Sequence, residues 1–216
     1  MKPGRPELIH EDEHLLVFCK PAGLLCVPGR GEDKQDCLSL RAQAHWPEAR
    51  VVHRLDMATS GLVLMARSPD LQKALSQAFA ERQVHKRYEA VAWGPSKGLP
   101  EDDWQHIDLP LAIDWPNRPR SRVDPEGGKP SQTLWRELGP GPLPGTRRLG
   151  LRPLTGRTHQ LRLHCRALGW PLLGDTLYAP PEVQALSPRL LLHACQLAFT
   201  HPVTGQTLSL HSPVPF

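Results

Sequence analysis

Apolar positions along the chain fall in short runs whose spacing switches between the period of two of a half-buried strand and the 3.6 of a helix. Leu8-Ile9-His10 and Leu15-Leu16-Val17-Phe18 flank an acidic turn, Glu11-Asp12-Glu13, and read as a hairpin closed by the breaker Pro21-Ala22-Gly23. Asp36 is placed to cap a short helix through Cys37, Leu38, Leu40 and Ala44, which Trp46-Pro47 ends. Ser68-Pro69-Asp70 is a stronger start signal. A capping serine, a proline in the first turn and an acid beside it precede Leu71, Ala74, Leu75, Ala78 and Phe79 at helical spacing, which predicts a helix to about Arg82.

Alternation returns over His85 to Trp93, with Tyr88, Ala90 and Ala92 on one face and Arg87, Glu89, Val91 and Trp93 on the other. Further strands are expected over Gly61 to Ala66, Ser131 to Leu138, Leu149 to Leu154, Arg189 to Phe199 and Gln206 to His211. Thr158 to Leu168 reads as a helix stopped by Gly169. Strands outnumber helices, and most links are too short for a crossover helix. The expectation is an α+β fold with a mixed, largely antiparallel central sheet flanked by short helices. The stretches Gly94 to Asp108 and Gly139 to Gly145 read as surface loops too short to be domain linkers, so residues 1–216 are expected to form a single domain.

Composition narrows the class. With 24 prolines and 17 glycines the chain is cut too often for long helices. Its longest apolar runs, Leu15 to Cys19 and Leu62 to Ala66, are far below the ~20 residues of a membrane helix. The N-terminus has no apolar signal segment, and the five cysteines are scattered without a C-x-x-C pair, so a reducing, cytoplasmic compartment is expected. A net charge of +4 says little, but its distribution says more. Between Glu137 and Asp175 there is no acid, while Arg147, Arg148, Arg152, Arg157, Arg162 and Arg166 all fall there. Guanidinium forks without compensating carboxylates suit phosphate recognition.

Three clusters carry candidate chemistry. His53-Arg54-Leu55-Asp56-Met57-Ala58-Thr59-Ser60-Gly61 joins two expected strands, and its Asp56 reads as a nucleophile, a metal ligand or a carboxylate that shapes a turn with Thr59 and Ser60, the last being favoured by composition alone. Thr155 to Arg162 sits at a strand-to-helix junction, where free backbone N–H groups and an arginine suit a carboxylate or a phosphate. Lys86-Arg87-Tyr88 sets a phenol and a basic group on opposite strand faces, an arrangement that stacks on bases. Trp115 with Arg118 has the same capacity. His159, His164, Cys165, His193 and Cys195 lack metal-site spacing, so no metal is expected.

These motifs, in this order, resemble those of the RluA family of RNA pseudouridine synthases. His53-Arg54-Leu55-Asp56 with Thr59-Ser60-Gly61 is similar to the family's catalytic loop, Lys86-Arg87-Tyr88 to its tyrosine strand, Thr155 to Arg162 to its arginine motif, and Arg189 to Ala194 to its C-terminal strand. Lys20-Pro21-Ala22-Gly23-Leu24 fits the family's N-terminal start, and Asp114-Trp115-Pro116-Asn117-Arg118-Pro119 points to the branch that modifies a 23S rRNA hairpin and a tRNA anticodon loop. Ala179 stands where many members have glycine.

The resemblance implies a cofactor-free isomerisation of uridine in structured RNA, carried out by a cytoplasmic monomer. It makes Asp56 the essential carboxylate, Arg157 the guanidinium that favours its charged form, and Tyr88 the group that stacks on uracil and removes the C5 proton. Arg54 fills the gap left by the flipped nucleotide, with His53, Lys86, Arg118, Arg152 and Arg162 as further RNA contacts. Two rivals fit less well. A non-catalytic RNA-binding protein of the same fold has no need of Asp56, Tyr88 and Arg157 together, and a sugar hydrolase wants a second carboxylate that the four motifs lack.

Overall fold

The computed structural model describes residues 4–94 and 103–216. In chain order the elements are β1 (Glu7–Glu11), β2 (Leu15–Lys20), α1 (Leu38–Gln43), β3 (Arg50–Val51), β4 (Ser60–Ala66), α2 (Pro69–Ala80) and β5 (His85–Trp93). They continue with β6 (Gln105–Asp108), β7 (Leu111–Ile113), β8 (Ser121–Val123), β9 (Gln132–Pro140), β10 (Thr146–Pro153), α3 (Gln160–Ala167), α4 (Pro181–Gln184), β11 (Leu192–Thr200) and β12 (Thr207–His211). The fold class is α+β, with mixed, largely antiparallel strand pairing and few helices. The chain divides into two compact units, Met1–Lys86 with Ala194–Pro213 and Arg87–His193 with Val214–Phe216.

In the first unit the strand order is β1-β2-β4-β11, with β3 added to β4 and β12 to β11. β4 is buried along its whole length, which is why its sequence runs Leu62-Val63-Leu64-Met65 without alternation. α2 begins as its sequence demands. Ser68 Oγ accepts the Leu71 N–H at 3.3 Å, Pro69 opens the first turn where it needs no donor, and Asp70 faces the positive helix end. Its stripe, Leu71, Leu75, Ala78 and Phe79, packs on Leu15, Val17, Leu62, Leu64, Leu197 and Phe199. Fully burying one such leucine contributes about 1.5–3 kcal/mol. Gly61, the second residue of β4, sits at φ +115°, where an added Cβ would run into the Ala194 backbone.

In the second unit β5, β10, β9 and β6 lie side by side, and β7 and β8 form a separate hairpin. Antiparallel register sets Tyr88 opposite Leu151, and Leu151 opposite Trp135. Trp135 meets Trp170 edge to face at 4.7 Å.

Several expectations need correction. Asp36 does not cap α1. Cys37 holds that position without a side-chain capping bond, and Asp36 instead makes a bidentate pair with Arg41 at 2.7 Å. α3 starts at Gln160 rather than Thr158, because His159 takes a left-handed backbone, φ 57°. Of the expected loop Gly94 to Asp108, residues 95–102 lie outside the described residues, and residues 105–108 form β6, paired with residues 132–135 of β9. β7 and β8, three residues each, are too short to carry a strand pattern in the sequence.

Candidate active site

The loop between β3 and β4 carries Asp56, and its neighbours on both sides are tied down. His53 stacks on Phe79 of α2, ring centroids 4.4 Å apart, and its Nε2 accepts the Leu64 N–H at 3.0 Å. Burial, aided by the charge of Lys86, pushes the His53 imidazole down to about 3. Lys86 lies over the same Phe79 ring, 5.8 Å from its centroid, and burial lowers its own pKa. Leu55 is buried, and its N–H donates to Cys26 Sγ at 3.2 Å. Beyond Asp56, the Met57 carbonyl accepts from Gly23 N–H at 2.8 Å and from Lys20 Nζ at 3.1 Å, and Thr59 N–H closes a turn onto the Asp56 carbonyl at 3.1 Å. Asp56 is left half-buried between exposed Arg54 and exposed Met57.

Lys20 falls outside the three candidate clusters, although a lysine ending a run of five apolar residues just before Pro21 is a signal in the sequence. Its ammonium is fully buried and donates to the Pro21 and Leu24 carbonyls at 2.8 Å as well as to Met57. The three acceptors join the Pro21-Ala22-Gly23-Leu24 turn to the Asp56 loop. Burial also raises the pKa of Cys26, so its thiol acts as an acceptor in the packing rather than as an ionised group.

In the second unit Tyr88 is 9% exposed, on the face of β5 opposite Arg87. The link from β10 to α3 is organised by Gln160. Its Oε1 accepts from Thr155 Oγ1 at 2.8 Å and from Arg157 N–H at 3.0 Å, while its Nε2 donates to the Gln132 carbonyl and Thr133 Oγ1, both at 2.9 Å. The Arg157 amide, which the sequence offered to an anion, is thus already used, and the exposed guanidinium is steered by its Nε bond to the Pro130 carbonyl at 3.2 Å.

The arginines divide into two kinds. Arg162 is 3% exposed and bound by both oxygens of Asp175, at 2.8 and 2.5 Å. Arg147 is 1% exposed, bonds the Gly94 carbonyl, faces Trp170 and has Glu137 3.7 Å away. The two carboxylates that bound the acid-free interval in sequence therefore neutralise two of its arginines from within, which corrects the reading of that interval as uniformly uncompensated. Arg152 is exposed, lies 4.0 Å over Trp104, and shares that ring with Arg136 at 4.9 Å. Arg118 lies 4.3 Å over Trp115, which is 62% exposed in the turn between β7 and β8.

His159 and His164 have protein partners. His159 Nδ1 lies 2.7 Å from Tyr178 Oη, and His164 lies 2.9 Å from Thr133 Oγ1 and 3.2 Å from the Leu109 carbonyl. Among the described residues no three His, Cys, Asp or Glu side chains gather as a metal site.

Comparison with known proteins agrees with this layout of motifs. The family model for RNA pseudouridylate synthases matches residues 14–167. The dual-specificity RNA pseudouridine synthase RluA of Escherichia coli K12 is 46% identical over 219 residues, covering 99% of this chain and 96% of that protein. The protein of the same name from Pasteurella multocida is 47% identical, covering 97% and 94%. Among solved structures, human RNA pseudouridylate synthase domain containing 1 superposes with a TM-score of 0.79 at 28% identity, covering 100% of this chain and 87% of that one. With motifs, fold and near full-length relatives in agreement, the chain belongs to the RluA family of RNA pseudouridine synthases.

Proposed function

We propose that Asp56 is the reacting carboxylate of this synthase, and that its substrates are a hairpin of 23S rRNA and the anticodon loop of tRNA. The observation that carries the first part is the anchoring of the Asp56 loop on both sides: His53 and Leu55 before it and Met57 after it are each hydrogen-bonded to fixed structure, and Thr59 N–H closes the turn on the Asp56 carbonyl. A carboxylate held this way loses little freedom when it meets a nucleotide, which is how positioning lowers a barrier.

The isomerisation breaks the N1–C1′ bond of uridine, joins C5 to C1′, removes the proton from C5 and leaves one on N1. Nothing is oxidised, nothing departs, and no cofactor enters the balance. A single carboxylate serves, either by attacking C1′ or by taking the C2′ proton, whereas a hydrolase needs a second one to direct water. Tyr88 takes the C5 proton, and Arg157 supplies the guanidinium of the arginine motif. Arg54, Lys86, Arg118 and Arg152 supply cationic groups for RNA. Buried Arg162 holds Asp175, and His53 shapes the loop. The chain works as a monomeric catalytic domain in the cytoplasm.

The dual-specificity name of the relatives supports the choice of two RNA classes. Incubating the purified protein with unmodified transcripts of 23S rRNA and of tRNAs, then mapping pseudouridine, tests it. One new pseudouridine is expected in an rRNA hairpin loop and one in a tRNA anticodon loop. Modification confined to a single RNA class would contradict it.

A further inference from the structure

Met57 follows Asp56 directly and is 53% exposed. Single exposed apolar residues are ordinary on a protein surface, and Leu40 and Val203 are exposed here to a similar degree. Met57 differs in how it is mounted. Its carbonyl is gripped by the Gly23 amide and by the fully buried Lys20 ammonium, and the turn it belongs to is closed by Thr59 N–H on the Asp56 carbonyl. The backbone is fixed at the point where the thioether leaves the surface, one residue from the carboxylate.

From this mounting we infer that Met57 is a substrate-contacting wedge. Its thioether packs against the face of the nucleobase that adjoins the target uridine, uncovered when the uridine leaves the stack. The inference rests on Asp56 as the reacting group. The chemistry fits, because the glycosidic carbon of a stacked nucleotide is out of reach and its release exposes an apolar base face. Apolar side chains that enter base steps are a recurrent way of holding nucleic acid open. An unbranched, polarisable thioether adapts to a base face at any angle, so the wedge tolerates different neighbouring bases. Arg54, exposed on the other side of Asp56, brings charge, whereas Met57 brings apolar surface.

The test compares the unaltered protein with Met57→Ala and Met57→Leu on a hairpin RNA and on an unstructured oligomer with the same target uridine. Single-turnover rates at saturating protein are measured alongside the fluorescence of 2-aminopurine placed beside the target, which brightens when stacking is lost. Met57→Ala is expected to lower the ratio of hairpin to oligomer rate about tenfold, the worth of one lost apolar contact, and to blunt the brightening. Met57→Leu should restore both.

An unchanged ratio with full brightening would overturn the wedge, and so would equal slowing on both RNAs, which marks a damaged turn. Asp56→Asn serves as the reference. If it brightens the probe without forming product while Met57→Ala behaves like the unaltered protein, the wedge alone fails. If Asp56→Asn forms product, the assignment of Asp56 fails and the wedge with it.

Discussion

At the scale of single residues, His53 shows how a polar group in the motif is used to build the site. Because Nε2 accepts a backbone N–H, a proton there would set donor against donor, and stacking on Phe79 removes the ring from water. The folded protein therefore binds that proton far more weakly than the unfolded chain, at about 3 against an ordinary 6.5. A lowered folded-state pKa means that the stabilisation is fully present above pH 6.5. It is lost as pH falls toward 3, by about 1.4 kcal/mol per pH unit. Urea unfolding from pH 7 to pH 4.5 should show this slope, and His53→Asn should flatten it relative to the unaltered protein. Identical slopes would contradict the account. His164, also held below its ordinary value chiefly by burial, titrates in both proteins and cancels in the comparison.

At the scale of elements, the Asp56 loop runs straight into β4, and Gly61 fixes the junction. Its positive φ and the closeness of the Ala194 peptide leave no room for a side chain. Gly61→Ala should lower the unfolding free energy by about 2 kcal/mol or more, at the upper end of ordinary substitutions, and reduce turnover with it. An unchanged urea midpoint would contradict this.

Elements were legible in the sequence where local chemistry decides them. Ser68-Pro69-Asp70 with the Leu71, Ala74, Leu75 and Ala78 stripe specifies α2 without reference to the rest of the chain. β6 was not legible, because Gln105-His106-Ile107-Asp108 has one apolar residue and is a strand only by pairing with β9. The motif residues were legible as a set, but the support beneath them was not. Lys20 reaches Met57 across 37 residues and Cys26 reaches Leu55 across 29, contacts that no local pattern encodes.

At the scale of the molecule, a net charge of +4 is modest for an RNA enzyme, so which arginines meet solvent matters more than how many there are. Arg118 and Arg152 are exposed, each over a tryptophan, whereas Arg162 is internal. Replacing Arg118 or Arg152 by alanine should weaken binding of all RNAs alike and reduce the salt slope by about 0.7 to 0.9 per phosphate contact. Arg162→Ala should leave the slope unchanged and instead cost about 3–5 kcal/mol of stability, because it strands the buried Asp175 carboxylate. Filter binding at several salt concentrations, with urea unfolding, separates the two kinds, and a reduced slope for a folded Arg162→Ala would contradict the division.

The central claim is that one carboxylate, Asp56, does the chemistry. It is tested most directly by tritium release from C5-labelled uridine in substrate RNA by pure Asp56→Asn. The amide keeps the shape of the side chain but is neither nucleophile nor base, so the variant should fold, bind RNA and release no tritium. Measurable release at saturating protein would contradict the account.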